Sequence, residues 1–415
     1  MTSHFRLFAL LAVAWASLQP RSAASQATSS LAVPGSSSVE GAGYLYISAQ
    51  GPHRADGTSA NKFTDQARQC LDNIKDLVEA AGLTMNHVVY IQVYLQDVSH
   101  YDELNNAFAA YFPKDPPARS VLGVARVPEP PLQMNAVAVR DRNGKQSVAV
   151  PGWPASQAYS AGMLTRDRLF VSTMLGRDPV TGTVPQGAAA QVDMALDGLA
   201  AVLTAAGLSN FNMVFVNPYL TADIPMRIMN EHYARRFEFG NTPGRATIQV
   251  SSLPEGAHIA YTGVAVRDLS QRLAIRPKNM PPSPTASPCV FAGDTLYCSA
   301  KSGFIPGPNG GVYFASTADQ TRQTMRNLLD NLEEAEMNFD QVVSATTYLD
   351  DLAESPQYSA IYAKYFKGAL PAQTTVQQIK SGDRKPNAEG QYADLEQMSL
   401  IAVRHPKASN SKPAQ

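Results

Sequence analysis

The feature that most limits how this chain can fold is an internal repeat. The segments 65–73 (DQARQCLDN), 190–198 (AQVDMALDG) and 319–327 (DQTRQTMRN) each open an amphipathic helix. Ala67, Leu71, Ile74, Val78 and Ala81 fall on one face of the first helix; Leu196, Leu199 and Leu203, and Met325, Leu328 and Leu332, form the matching stripes. Two of the helices end in Ala-Ala-Gly-Leu, at 80–83 and 205–208, where glycine can take the left-handed conformation that closes a helix. Apolar, β-branched runs follow at 88–95, 213–220 and 342–349, then an Asp and a second helix closing near Phe112, Phe237 and Phe366. A Pro-containing loop and two further strands end each unit at Arg140, Arg267 and Arg404. A hairpin begins each unit, so the order is β-β-α-β-α-β-β. Two apolar helix stripes and a sheet with an apolar face predict an α+β fold, a mixed sheet with two helices on one side. The other sheet face is left to the partner units, which predicts a pseudo-trimer within one chain.

The expected units are 31–142, 147–270 and 283–406, with linkers near 141–150 and 268–282, a polar Gly-containing insertion at 380–394 and a tail at 407–415. Residues 1–27 read as a cleavable export signal: a weakly basic start with His4 and Arg6, an apolar run from Phe8 to Leu18, and small residues at Ser22-Ala23-Ala24. That run is too short to span a bilayer, and no second long apolar stretch was expected after it. The expectation is a periplasmic or secreted protein with no membrane contact once the signal is gone.

Thirty-four Lys and Arg against 35 Asp and Glu give a net charge of -1, without the basic field that gathers phosphate backbones, so a nucleic-acid partner is not expected. Cys70, Cys289 and Cys298 lack C-x-x-C spacing and the seven histidines form no ligand pair, so neither a metal nor another cofactor is expected.

One motif is more specific. Pro117-Ala118-Arg119-Ser120 followed by Val124-Ala125-Arg126-Val127-Pro128 resembles the P-A-R-S-x-x-x-V-A-R-L-P signature of the RidA/YjgF family of reactive-intermediate (imine) deaminases, also known as L-PSP endoribonucleases. The second unit has the looser Pro243-Gly244-Arg245-Ala246 and the third Pro371-Ala372-Gln373-Thr374. The resemblance implies ligand clefts between units and an arginine that holds and orients the substrate carboxylate, a bidentate contact that lysine cannot match. Arg119 and Arg245 match that position, and Gln373 does not. A helical Asn near the family's pocket matches Asn105 and Asn230 and becomes Ser359 in the third unit, which reads as a degenerate site. The family's first Glu near the end of the domain, associated with the hydrolytic water, is Gln133, Ala260 and Gln397 here, and its second is Asn135, Thr262 and Ser399. Its early G-P-Y-S-Q survives only as Trp153-Pro154-Ala155-Ser156-Gln157.

The leading expectation is hydrolytic deamination of a small carboxylated imine at inter-unit clefts, with Arg119 and Arg245 orienting it. The alternative is binding of a small carboxylate without turnover. A chorismatase-like hydrolysis is a third possibility, and a monomer is expected. In the third unit, a two-residue turn at Gly293-Asp294 would place Cys289 opposite Cys298, as a disulfide or as two small buried strand residues. Cys70 has no sequence partner.

Overall fold

The computed structural model describes Gly35 and residues 37–404 apart from 279, 308–309, 380–385, 387, 389 and 391. The proposed signal, the tail and most of the 380–394 insertion therefore lie outside the described residues. In the first unit, hairpin strands β1 (Ser38–Gly41) and β2 (Tyr44–Gln50) lead to α1 (Phe63–Ala80), β3 (Val88–Leu95), α2 (Tyr101–Tyr111), β4 (Ala118–Gly123) and β5 (Leu132–Val139). The sheet order is β1-β2-β5-β3-β4, with β4 parallel to β3 and the other pairs antiparallel.

The second unit contains β6 (Gln146–Val148), β7 (Gly162–Leu164), β8 (Arg168–Leu175), α3 (Ala188–Ala205), β9 (Met213–Leu220), α4 (Met226–Ala234), β10 (Gly244–Arg245), β11 (Ile248–Gln249) and β12 (Ile259–Val266). The third contains β13 (Arg272–Ile275), β14 (Cys289–Ala292), β15 (Thr295–Ser302), α5 (Thr317–Glu334), β16 (Val342–Leu349), α6 (Ser355–Tyr362), β17 (Ala372–Gln377) and β18 (Glu396–Val403). The expected order thus occurs three times. The linkers contribute more than connection: β6 pairs with β7 and β13 with β14, each covering the open edge of the following hairpin.

The helix stripes are where periodicity puts them. Leu71, Ile74 and Val78, Leu196, Leu199 and Leu203, and Met325, Leu328 and Leu332 are all buried against their own sheets. α3 corrects one expectation, because by length and composition it is apolar enough to cross a membrane. Its Val192, Leu196, Leu199, Val202 and Leu203 instead pack in the core of the second unit. Gly82 and Gly207 close α1 and α3 at φ of 72° and 73°, and Glu336 adopts the same left-handed conformation after α5 at 58°.

The opposite sheet faces meet one another. β4 packs on β8, β10 on β15 and β17 on β2, a head-to-tail cycle that closes a ring of three units. At one end the chains beyond β4, β11 and β17 exchange backbone hydrogen bonds: Gly123 N donates to Ser252 O at 2.9 Å, Ala125 N to Gln377 O at 3.0 Å and Ile379 N to Gln249 O at 3.2 Å. Tyr94, Tyr219 and Tyr348, equivalent by repeat, share one apolar cluster on the axis. Near the hairpins the equivalent residues are Tyr44, Arg168 and Thr295. Arg168 is 1% exposed, lies 4.1 Å from the Tyr44 ring and donates to Thr295 Oγ1 at 3.2 Å.

The third unit departs from the other two in its own core. Where α1 and β5 place Cys70 and Leu132, it has Thr324 and Glu396, both fully buried. Thr324 Oγ1 donates to Glu396 Oε1, and Glu396 Oε2 has no hydrogen-bond partner. Burial pushes the Glu396 carboxyl from 4.5 up to about 8, against the Thr324 hydrogen bond, which lowers it. Because the folded value is raised, the stability linked to this group is fully present below about pH 4.5 and is lost as pH rises through about 8. Glu396→Leu restores the apolar pattern of the other units. It is expected to stabilise the chain at pH 8 by on the order of 2–4 kcal/mol, with a much smaller gain at pH 5, measured by urea unfolding at both pH values.

Cys289 faces Cys298 across the β14–β15 hairpin with Cα atoms 4.0 Å apart, and the two are joined as a disulfide. Gly293 in the turn has φ of 59°. Cys70 is a buried free thiol whose pKa is pushed up by burial.

Candidate functional site

β4 carries Arg119 into the seam between the first and second units. Its backbone N–H donates to Ser172 Oγ on β8 at 2.8 Å, which fixes the strand against its neighbour. The side chain runs under α2, where Nη2 donates to Asn105 Oδ1 at 2.5 Å and to the Tyr101 hydroxyl at 3.4 Å. Three rings enclose the guanidinium: Phe108 at 4.6 Å, Tyr159 of the second unit at 5.0 Å and Tyr101 at 5.5 Å. Arg119 is only 3% exposed, and its Nη1 has no hydrogen-bond partner among the described residues. Burial holds its pKa below the ordinary arginine value. The observed ion pairs of the described residues do not include it. A buried cation is normally paired with an acid, and among the described residues Arg119 is held by Asn105 and three aromatic rings instead.

Arg245 on β10 repeats the arrangement between the second and third units in a looser form. Its backbone N–H donates to Ser299 Oγ at 2.8 Å, and Nη1 donates to Asn230 Oδ1 at 2.8 Å. The Tyr233 ring lies 5.2 Å away, and the side chain is part-buried, with its pKa lowered by burial. The structure therefore brings Arg119 to Asn105 and Arg245 to Asn230, residues that the family resemblance assigns to the pocket.

The third position is closed. Gln373 is 5% exposed, and its Nε2 donates to Thr347 Oγ1 at 3.1 Å, with Thr375 Oγ1 at 3.4 Å. Ser359 turns its hydroxyl back to the Ser355 carbonyl at 2.7 Å rather than toward Gln373. The backbone of Gly35 comes so near that a Cβ there would lie 2.6 Å from Gln373 Cβ.

The residues at the family's Glu position serve the contacts between units. Gln133 Nε2 donates to the Thr375 carbonyl at 2.8 Å and Gln397 Nε2 to the Thr247 carbonyl at 3.2 Å. By the same cyclic relation Ala260 belongs to the Arg119 cleft, where it offers no acid or base. Asn135 Nδ2 donates to Thr374 Oγ1 at 2.7 Å, again across units. No pattern in the sequence points to Tyr101 or Tyr159. Tyr159 follows the Trp153–Gln157 remnant by part of a turn, and it faces Arg119 only because the units meet. Burial raises the Tyr159 pKa, so its hydroxyl is neutral beside the arginine.

Comparison with known proteins accords with this geometry. The family described as Endoribonuclease L-PSP matches residues 28–139, 152–266 and 279–380. A RutC family protein of Pyrococcus horikoshii is 33% identical over 111 residues, 26% of this chain and 88% of that protein. A 2-iminobutanoate/2-iminopropanoate deaminase of Rattus norvegicus is 39% identical over 112 residues, 26% of this chain and 80% of the enzyme. A solved chorismatase covers 76% of this chain and 93% of its own at 12% identity with a TM-score of 0.53, a likeness of fold alone. Three matched segments, three sheets and one ring make this chain a member of the Endoribonuclease L-PSP (RidA/YjgF) family with its trimer built into a single polypeptide.

Proposed function

We propose that the Arg119 cleft, and more weakly the Arg245 cleft, binds a small carboxylate and hydrolyses an imine on the neighbouring carbon. One observation carries this reading: among the described residues, Arg119 is a buried cation whose Nη1 has no hydrogen-bond partner and which forms no ion pair. A ligand carboxylate supplies the missing charge and accepts from the guanidinium in a two-pronged contact. Fixed in this way, the protonated C=N carbon is open to water. Addition of water with loss of a proton gives a carbinolamine; cleavage of its C–N bond releases ammonia and leaves the 2-oxo acid. The iminium is already electrophilic, so positioning supplies much of the rate. With Ala260 in the cleft, we assign the relay of a proton to the Tyr101 and Tyr159 hydroxyls beside the arginine.

Ala260, together with the structural use of Gln133 and Gln397, favours a second reading, binding without turnover. The expectation of export from residues 1–27 and that of a monomer belong to the same proposal. An assay of ammonia release from 2-iminobutanoate and 2-iminopropanoate generated in situ separates the two readings. Release well above the spontaneous rate, and lost in Arg119→Ala, supports the deaminase. Spontaneous release despite tight binding of the corresponding 2-oxo acid supports the binding protein.

A further inference from the structure

The cleft of Arg119 adjoins a cavity beside α3, where one residue differs from its counterparts on α1 and α5. Asn73 on α1 and Asn327 on α5 occupy equivalent positions and tie the segment after each hairpin onto the helix. Asn73 Nδ2 donates to the Gly51 and His53 carbonyls, both at 3.0 Å, and Asn327 Nδ2 to those of Ser302 at 2.9 Å and Phe304 at 3.0 Å. At the same place α3 has Gly198, which has no side chain to make that tether. A cavity of about 740 Å³ lies there instead, lined by Trp153, Tyr159, Met174, Met194, Gly198 and Ala201. A Cβ added to Gly198 would meet only Met174, at 3.5 Å or more.

This cavity adjoins a chamber of about 20 Å³ that holds Arg119, and Tyr101, Tyr159, Thr173 and Leu175 line both. The inner chamber has room for a carboxylate and little else. The outer one has the size of sites that hold drug-sized ligands; Trp153, Met174 and Met194 give it surfaces suited to an aromatic ring, and Arg177, Asp197 and Glu255 line its charged part.

We propose that the ligand of this cleft is a 2-imino or 2-oxo acid with a large aromatic body, its carboxylate on Arg119 and its ring beside Gly198 and Trp153. The proposal rests on the carboxylate reading of Arg119. A three- or four-carbon acid would leave the outer cavity to water, whereas an indolyl group removes apolar surface from it. Tyr101 and Tyr159 stand between the two chambers and line both.

The test compares pyruvate with indole-3-pyruvate, titrated by calorimetry into the full chain carrying Arg245→Gln so that the first cleft alone reports. The indolyl acid is expected to bind at least about tenfold more tightly. Gly198→Leu should bring its affinity down to that of pyruvate and leave pyruvate binding unchanged; leucine is a better helix former than glycine, so the fold is not at risk. Trp153→Ala should lower indolyl affinity in the same direction by a smaller factor. Unchanged indolyl binding in both variants overturns the proposal. Pyruvate binding without preference for the indolyl acid sinks the aromatic assignment alone. Binding of neither acid removes the carboxylate reading and this proposal with it.

Discussion

Arg119→Met is expected to lower carboxylate affinity at the first cleft by about 100-fold or more, while leaving the unliganded chain at least as stable as the wild type. The two effects share one cause. In the free protein the guanidinium is buried, bonded to Asn105 and Tyr101 and unpaired at Nη1, so its desolvation is only partly offset. A methionine of similar length removes that cost, and the gain is up to about 1–2 kcal/mol after the lost Asn105 hydrogen bond is counted. A charge-assisted, two-pronged contact contributes about 3 kcal/mol or more to binding, and methionine supplies none of it. Calorimetric titration with a 2-oxo acid, together with urea unfolding without ligand, reads both quantities. Binding unchanged in the Arg119→Met, Arg245→Met double variant would end the carboxylate reading. A stoichiometry near two in the wild type is expected from two positions that carry an arginine and a third that carries the neutral Gln373.

Arg168→Ala should produce the largest loss of stability, about 3–5 kcal/mol, with no direct effect on the clefts. Arg168 Nη1 donates to the Tyr297 hydroxyl at 2.8 Å, and Nη2 donates to Asp167 Oδ2 at 2.8 Å. The Tyr44 hydroxyl also bonds to Asp167 and lies 2.7 Å from Thr165 Oγ1. One side chain thus joins residues from all three units. Its removal leaves a cavity at the axis and an acid without its cation. Arg168→Met, which keeps most of the volume, should lose less. A midpoint in urea within error of the wild type for Arg168→Ala would refute the role assigned to this network.

Features that depend on one unit were legible in the sequence, as was the joining of three units; the particular side chains that meet across units were not. The stripe Leu71-Ile74-Val78 and its counterparts reveal their helices because a period of 3.6 residues is visible within one segment. Arg119 and Asn105 were both legible through the family resemblance, since each matches a family position within one unit. Arg168 passed unnoticed in a strand that otherwise reads as apolar, because its partners Tyr44, Thr295 and Tyr297 lie in the other two units. β6 and β13 were read as linker for a different reason: they are only three and four residues long, too short for alternation to register. Tyr159 was missed because no pattern within the second unit ties it to an arginine of the first.

Residues on a rotation axis meet their own copies. Were the second unit to assemble as three separate identical chains, three Arg168 guanidiniums would crowd one spot, without the Tyr44 ring and the Thr295 and Tyr297 hydroxyls that now surround one of them. Tyrosine, arginine and threonine can share that spot only because each is encoded separately. The same freedom extends to the seams, where one gene can keep Arg119, loosen Arg245 and discard the charge at Gln373, whereas a homotrimer must treat all three seams alike.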